Sequence, residues 1–333
     1  MQTIFPKKLE TGDTIMVISP SMSLSLMRDE SVIKAVEVFQ ALGFNIVFGK
    51  NAKEADNFKS SSISSRVEDI HQAFLDPSVN MVLCTMGGYN SNQLLDNLDY
   101  TLIKNNPKIF TGYSDITALS NAILAKTGLV TYSSPTFSGF AKDLNLDFSI
   151  TSFVSCFAKN APYTISQSEY WFDEWKKDLL GKPIMNDNDG HWVLSAGSAK
   201  GITIGGNLNT FRLLYGTQYM PQIDGDIVLF LEDDSDSVGD FMIHEFDRNI
   251  VSLTQQSWFN QVTGIIFGRF QTRGEISRGY LVDLIGRTTK LQNIPIIANV
   301  DFGHNKPMIS FPVGGTVIVD TNKRDSQIEI VTH

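Results

Sequence analysis

From Thr14 to Tyr132, short apolar runs rich in β-formers alternate with segments of helical periodicity. Thr14–Ser19 reads as a buried strand opened by a turn at Thr11-Gly12-Asp13. Residues 28–42 set Val32, Ile33, Ala35, Val36, Val38, Phe39 and Leu42 at helical spacing, and Gly43 ends the run. Strands are expected at Asn45–Phe48 and Met81–Thr85, with a helix over 62–76 between them and another from Ser91 to Leu98. A strand before Ser114, a helix to Thr127 and a strand at Leu129–Tyr132 continue the series. A strand that returns through a helix runs parallel to its predecessor. The alternation therefore predicts a parallel sheet with helices on both faces. Ligands of such sheets bind beyond the carboxyl ends of the strands.

The pattern weakens after about residue 160. Residues 161–198, with the aromatic and acidic run Tyr170–Trp175 and the turn Asn186–Gly190, read as an ordered connection between domains. Beyond it come Gly201–Asn207, a helix over Thr210–Tyr215, a buried strand to Leu231 with Glu232 at its end, and a long helix over Gly239–Gln256. Strands are expected at Val262–Phe267, Ile294–Val300, Val317–Val319 and Ile328–Val331. The expected architecture is α/β: an N-terminal parallel-sheet βαβ domain (1–160), the connection, and a C-terminal mixed, β-rich α/β domain (199–333).

With 333 residues the chain is long enough for two domains around a large core. A net charge of −9, with acids and bases interspersed, argues against a nucleic-acid polymer as partner. No apolar run is long enough to cross a bilayer, and Met1–Leu9 lacks the apolar core of a secretory signal. Cys84 and Cys156 both fall in apolar runs, so buried thiols and a cytoplasmic location are expected.

The candidate chemistry starts in Lys108–Leu119, where a short strand meets Gly112-Tyr113-Ser114-Asp115 and then a helix. A tight strand-to-helix turn lifts a serine hydroxyl clear of the backbone and aims the helix's free N–H groups at the same space. The motif is not Gly-x-Ser-x-Gly, and Ser114 also suits a plain helix cap. A nucleophilic serine needs a base. His71 and His244 lie in helical patterns, and His333, the last residue, is expected to be mobile. His191 sits in a turn beside Trp192, where a binding role fits. His304 lies just past a strand in a loop with Gly303 and Pro307, the kind of position that carries function. An imidazole base needs an orienting carboxylate, and Glu232 closes an otherwise apolar strand. Asp233, Asp234, Asp236 and Asp240 compete for that role but form a charge run of the usual solvated kind. Asp234, Asp236, Gly239 and Glu245 imitate part of a calcium loop, but Val238 occupies a ligand position and a strand precedes it, so no metal is expected. Gly87-Gly88 lacks the signatures of nucleotide loops. It can bring backbone N–H groups, with that of Asp115, to a developing oxyanion, or it is a plain turn.

Taken in order, Pro6…Leu9-Glu10-Thr11-Gly12-Asp13, Ser19-Pro20-Ser21, Arg66…Asp69-Ile70-His71, Gly87–Leu95, Gly112–Asp115, Gly205–Leu208, Leu231-Glu232-Asp233, Gly303-His304…Pro307 and Pro312-Val313-Gly314 resemble the LD-carboxypeptidase and microcin C immunity family of serine peptidases. The resemblance covers nearly the whole chain. It implies a Ser–His–Glu triad at Ser114, His304 and Glu232, with Gly88 and Asp115 supplying the oxyanion N–H groups. It implies no cofactor, a homodimer, and a small-molecule or short-peptide substrate. Murein-trimming members tend to carry Arg before the paired glycines, where this chain has Met86. Gly87-Gly88-Tyr89-Asn90-Ser91-Asn92-Gln93 is more similar to the immunity branch, which cleaves aspartyl amides of nucleotide-like groups. On that reading Gly87, Tyr89 and Asn90 contact substrate, and Trp192 stacks on the base. The alternatives are a murein tetrapeptide LD-carboxypeptidase and a small-molecule binding protein in which Ser114 only caps a helix.

Overall fold

A computed structural model describes residues 2–141, 146–234, 238–323 and 327–333. Five strands of the first half, β1 (Thr14–Ile18), β2 (Asn45–Phe48), β3 (Val79–Cys84), β4 (Ile109–Thr111) and β5 (Thr131–Ser133), lie parallel in the order β5-β4-β3-β1-β2. The crossovers carry helices α1 (Asp29–Ala41), α2 (Ile63–Leu75), α3 (Tyr100–Asn105) and α4 (Thr117–Thr127). Ser91–Asn97 forms 3₁₀ turns rather than the expected helix, and the regular helix α3 starts after Asp99, whose carboxylate caps it. Asp99 is the better start signal, since Ser, Asn and Asp all favour caps and only a side chain that reaches an N–H decides.

One face of this sheet is covered by α1 and by α5 (Leu146–Phe157), with an aromatic cluster between them. Phe39 lies 4.7 Å from Phe140 and 5.7 Å from Phe153, and Phe153 lies 4.7 Å from Phe157, in tilted or edge-on contact. The other face packs on α4, whose residues Thr117–Leu124 are buried. A helix buried on every side belongs inside a larger core. Here the core continues through Ile204, Leu208 and Phe230 into a second sheet.

Residues 161–198 form β6 (Tyr163–Thr164), the hairpin β7 (Tyr170–Lys177) and β8 (Pro183–Asp187), and β9 (Trp192–Ser195). Then come β10 (Ser198–Asn207), α6 (Leu208–Phe211), β11 (Ile227–Glu232), α7 (Gly239–Thr254), β12 (Val262–Gly268), α8 (Arg278–Arg287), β13 (Ile296–Val300), β14 (Phe311–Val313), β15 (Thr316–Asp320) and β16 (Ile328–Thr332). The second sheet runs β6-β16-β15-β10-β11-β12-β13-β9, parallel from β10 to β13 and antiparallel elsewhere. The fold is thus α/β with an N-terminal, mostly parallel sheet and a C-terminal mixed one.

One crossing was not visible in the local pattern. After β13 the chain leaves the second sheet, and β14 adds antiparallel to β5 at the edge of the first. Its Pro312 is compatible with an edge strand, where the missing N–H is not needed on the open side. The segment between β13 and β14 therefore bridges the two sheets, and it contains His304. The C-terminus also differs from expectation. His333 is buried, its ring nitrogens 2.8 Å from the Cys156 carbonyl and 3.2 Å from that of Ala161. A partner in α5 ties down a residue that position alone would leave free. Both cysteines are buried.

Candidate active site

Ser114 follows β4 and begins a 3₁₀ turn that runs into α4. Its φ is +63°, a left-handed conformation that a non-glycine residue holds at a cost of about 1–3 kcal/mol. The strain keeps the hydroxyl at the head of α4 instead of folding it into the helix. Beside it, at the end of β3, Gly87 allows direct contact. A Cβ there would lie 2.8 Å from Ser114 Cβ and 2.9 Å from its Oγ. Gly87→Ala must displace the serine. Because an error of about 1 Å in a reacting group costs roughly 10²-fold, the variant is expected to slow labelling of Ser114 by a fluorophosphonate by about that factor, with a melting temperature lowered by only a few degrees, as about 1–3 kcal/mol of overpacking implies. Wild-type labelling would show that the turn has room to spare.

The carboxylate comes from the second sheet. β10 pairs in parallel with β11, so that Asn207 stands opposite Glu232 at their carboxyl ends. β10 is in turn tied to α4. Asn121 Nδ2 donates to the Gly205 carbonyl (2.8 Å), and the Asn207 N–H donates to Thr117 Oγ1 (3.0 Å). Gly206 permits this contact, since a Cβ there would come within 2.5 Å of Thr117 Oγ1. Thr117, three residues past Ser114, thus sets the distance between the two sheets where it matters. Glu232 is 3% exposed and packs on two glycines, with a Gly303 Cβ position 3.1 Å from its Oε2.

His304 closes the arrangement from the bridging segment. Its Nδ1 is 2.7 Å from Glu232 Oε2 and its Nε2 is 3.0 Å from Ser114 Oγ. Asp234 Oδ2 lies 3.7 Å from the same Nε2, and the Tyr113 ring packs 5.2 Å from the imidazole. Burial by itself would pull the imidazole's pKa down. The Glu232 carboxylate, by charge and by hydrogen bond, with Asp234 behind it, outweighs burial and the opposing Lys306, and pushes the pKa up to about 9. A hydroxyl, an imidazole and a carboxylate so joined can move a proton off Ser114 and hold the resulting imidazolium.

The diglycine loop and the serine turn adjoin, as the Gly87 contact requires. Tyr89 is 71% exposed at the rim. Asn90, expected to meet substrate, has its Oδ1 occupied by Arg66 Nη1 at 3.1 Å, and Arg66 also reaches the Pro20 and Asn90 carbonyls and Gln93. Arg66 was a missed signal. It stands four residues before Ile70 on the inward face of α2, where a charge is unusual unless paired. Asp233 departs from the solvated reading. It is 1% exposed, accepts from Asn209 Nδ2 (2.9 Å), and burial with the neighbouring acids Asp234 and Glu232 holds its pKa high. Asp240 is exposed and Asp236 lies outside the described residues. His71 accepts from the Asp99 N–H, His244 is exposed, and burial keeps His191 below the ordinary imidazole range. Trp192 is in β9, its Nε1 donating to Asp189 Oδ2 (2.9 Å). It lines a groove of about 420 Å³ with Trp171, Asp189, Arg269, Gln271 and Asn299. The groove reaches the His304 loop through Gln271, whose Nε2 donates to the His304 carbonyl (3.2 Å).

Comparison with known families matches residues 15–134 to the LD-carboxypeptidase N-terminal domain and residues 200–319 to the LD-carboxypeptidase C-terminal domain of peptidase S66. The chain belongs to the S66 peptidase family. This S66 peptidase is 44% identical to the putative carboxypeptidase YocD of Bacillus subtilis, over 99% of its own length and 100% of that protein's. Its fold matches the crystal structure of an MccF-like protein from Bacillus anthracis with a TM-score of 0.94 at 45% identity, covering 99% of this chain and 100% of that one. It also matches the microcin C7 self-immunity protein MccF, which is known from Escherichia coli and was solved in complex with aspartyl sulfamoyl adenosine. There the TM-score is 0.87 at 31% identity, with 99% of each chain covered. Among the described residues no helix is long and apolar enough to cross a membrane.

Proposed function

We propose that this S66 peptidase is a serine hydrolase that cleaves an amide bond through an acyl-enzyme, with Ser114, His304 and Glu232 as its triad. The observation that carries the reading is the hydrogen-bonded chain from Ser114 Oγ through both ring nitrogens of His304 to Glu232. Ser114 attacks the carbonyl carbon while His304 Nε2 accepts its proton. Glu232 fixes the ring tautomer and stabilises the imidazolium. The carbonyl oxygen gathers negative charge and is met by the N–H groups of Gly88 and Asp115, at the head of α4. The C–N bond then breaks, and the amine leaves with the proton from His304. Water, deprotonated by the same ring, attacks the ester and frees Ser114. On this reading 1–160 carries the nucleophile, 161–198 connects, and 199–333 carries Glu232 and His304.

For the substrate we favour an aspartyl amide of a nucleotide-like group, on the likeness to MccF in complex with aspartyl sulfamoyl adenosine. The groove beside the His304 loop offers the Trp192 face to a purine. A cytoplasmic homodimer fits this role, since a catalytic chain drawn from two sheets gains from a fixed frame. The test pairs aspartyl sulfamoyl adenosine with a murein tetrapeptide. Release of aspartate from the first is expected, and Trp192→Ala should raise its KM about tenfold while sparing kcat, a loss in the range of one aromatic contact. Turnover of the tetrapeptide alone transfers the assignment to LD-carboxypeptidase. Hydrolysis of neither, with no fluorophosphonate labelling of Ser114, transfers it to a binding protein.

A further inference from the structure

The residue after the nucleophile carries a side chain that the mechanism above does not use. Asp115 is 2% exposed. One of its oxygens, Oδ2, receives the Ser21 hydroxyl at 2.5 Å, the Asn90 N–H at 3.0 Å and the Ser91 N–H at 2.9 Å. The Ser91 hydroxyl donates back to the Asp115 carbonyl at 2.6 Å. Asn90 and Ser91 are the residues through which the diglycine loop leaves β3, and Ser21 braces that loop from behind. A Cβ on Gly88 would sit 2.3 Å from Ser21 Oγ. Arg66 grips Asn90 from the other side, by its carbonyl and its Oδ1.

We propose that the Asp115 carboxylate is a positioning residue that clamps the diglycine loop to the nucleophile turn and so sets the spacing between the Gly88 and Asp115 N–H groups. The inference rests on the serine-hydrolase reading and deepens it. The two N–H groups belong to different loops at the ends of different strands, β3 and β4. Among the described residues the backbone ladder between these strands ends at Leu83 and Thr111, so the tether between the loops comes from side chains. A carboxylate suits the task, because an ionised acceptor takes several N–H and O–H donors at once, and each bond is stronger than a neutral one. Its backbone N–H and its side chain then act on the same two loops, the one toward substrate and the other away from it. Oxyanion stabilisation depends on donors held where the charge develops, so loosening one loop should be felt in the transition state and not in ground-state binding.

The experiment compares Asp115→Ala, Asp115→Asn and Ser21→Ala with wild type and Ser114→Ala, on whichever of the two test substrates the wild type turns over. Asp115→Ala is expected to lower kcat about 10²-fold, the size of losing one oxyanion donor, with KM within about threefold. Affinity for a boronic acid analogue of the acyl group should fall by about the same factor, while the His304 ring titration followed by NMR stays where it is in the wild type. Asp115→Asn keeps an acceptor oxygen without the charge, and a loss of about tenfold is expected. Ser21→Ala removes one of the three donors and should cost a few-fold, which keeps the test open if the alanine variant does not fold. Asp115→Ala with kcat near wild type would overturn the clamp. So would a fall in kcat with boronate affinity unchanged, or wild-type kinetics in both Asp115→Asn and Ser21→Ala. Undiminished turnover by Ser114→Ala would instead remove the hydrolase reading itself, which separates the two failures.

Discussion

Ser114→Ala is expected to lower kcat by a factor of about 10⁴ to 10⁶, leaving only the catalysis that binding and the oxyanion donors supply without a nucleophile. On the proposed mechanism the loss should be almost wholly in kcat, because the hydroxyl would form its bond to the carbonyl carbon only in the transition state. Little stability should change with it. Alanine keeps the same strained φ of +63°, and the hydroxyl's hydrogen bond is to His304 in a partly open site. A melting temperature within a few degrees of wild type, together with complete loss of fluorophosphonate labelling, is the expected pair of results. A variant that retains a tenth of the wild-type rate would show that another group attacks the substrate.

Glu232→Gln is the second large effect, expected at about 10³ to 10⁴ in kcat/KM. Glutamine nearly preserves the shape of the side chain. Its amide can donate to His304 Nδ1, which would leave the ring proton on Nε2, facing Ser114, the wrong tautomer for a base. The pH profile carries an independent signature. Burial lowers the His304 pKa, and the Glu232 carboxylate more than reverses that, to about 9. In wild type the ring is therefore mostly charged at neutral pH, and kcat/KM should climb with pH up to about 9. Without the Glu232 charge only Asp234 opposes burial and Lys306, and the acid limb should move to lower pH. Stability should run the other way. Because the folded-state pKa is raised, the His304–Glu232 pair stabilises fully below about pH 6.5 and loses that contribution as pH rises through about 9. Between those values the enzyme is expected to gain activity while losing stability to urea. A kcat/KM limb at the ordinary imidazole pKa in wild type would contradict the coupling.

Several parts of this arrangement are legible in the sequence. The βαβ alternation predicts the parallel strands β1 to β5 because a buried strand and an amphipathic helix each write their own period into the sequence. The same periodicity puts Gly87-Gly88 and Ser114 at strand ends, and Glu232 is a carboxylate closing an apolar run. The errors have a common origin. Asp233 beside Glu232 looked solvated, and His333 looked mobile, since neither Asn209 nor the Cys156 carbonyl is near in sequence. The segment Ser91–Leu98 carries helix-like spacing, yet it winds only into 3₁₀ turns, and the regular helix waits for the Asp99 cap.

By itself the sequence singled out Ser114, His304 and Glu232 as candidates and indicated that each lies at the end of a strand or in a loop just past one. Periodicity and turn residues are local properties, and local sterics suffice to write them. Only the tertiary structure decided that the three groups meet. That needed β10 to lock onto α4 through Thr117 and Asn121, and it needed the chain to cross from β13 to β14 between two sheets. Such contacts join residues up to 190 positions apart, as Ser114 and His304 are. They form because one shared apolar core buries α4 between the sheets, a cooperative outcome of packing that no window of sequence contains.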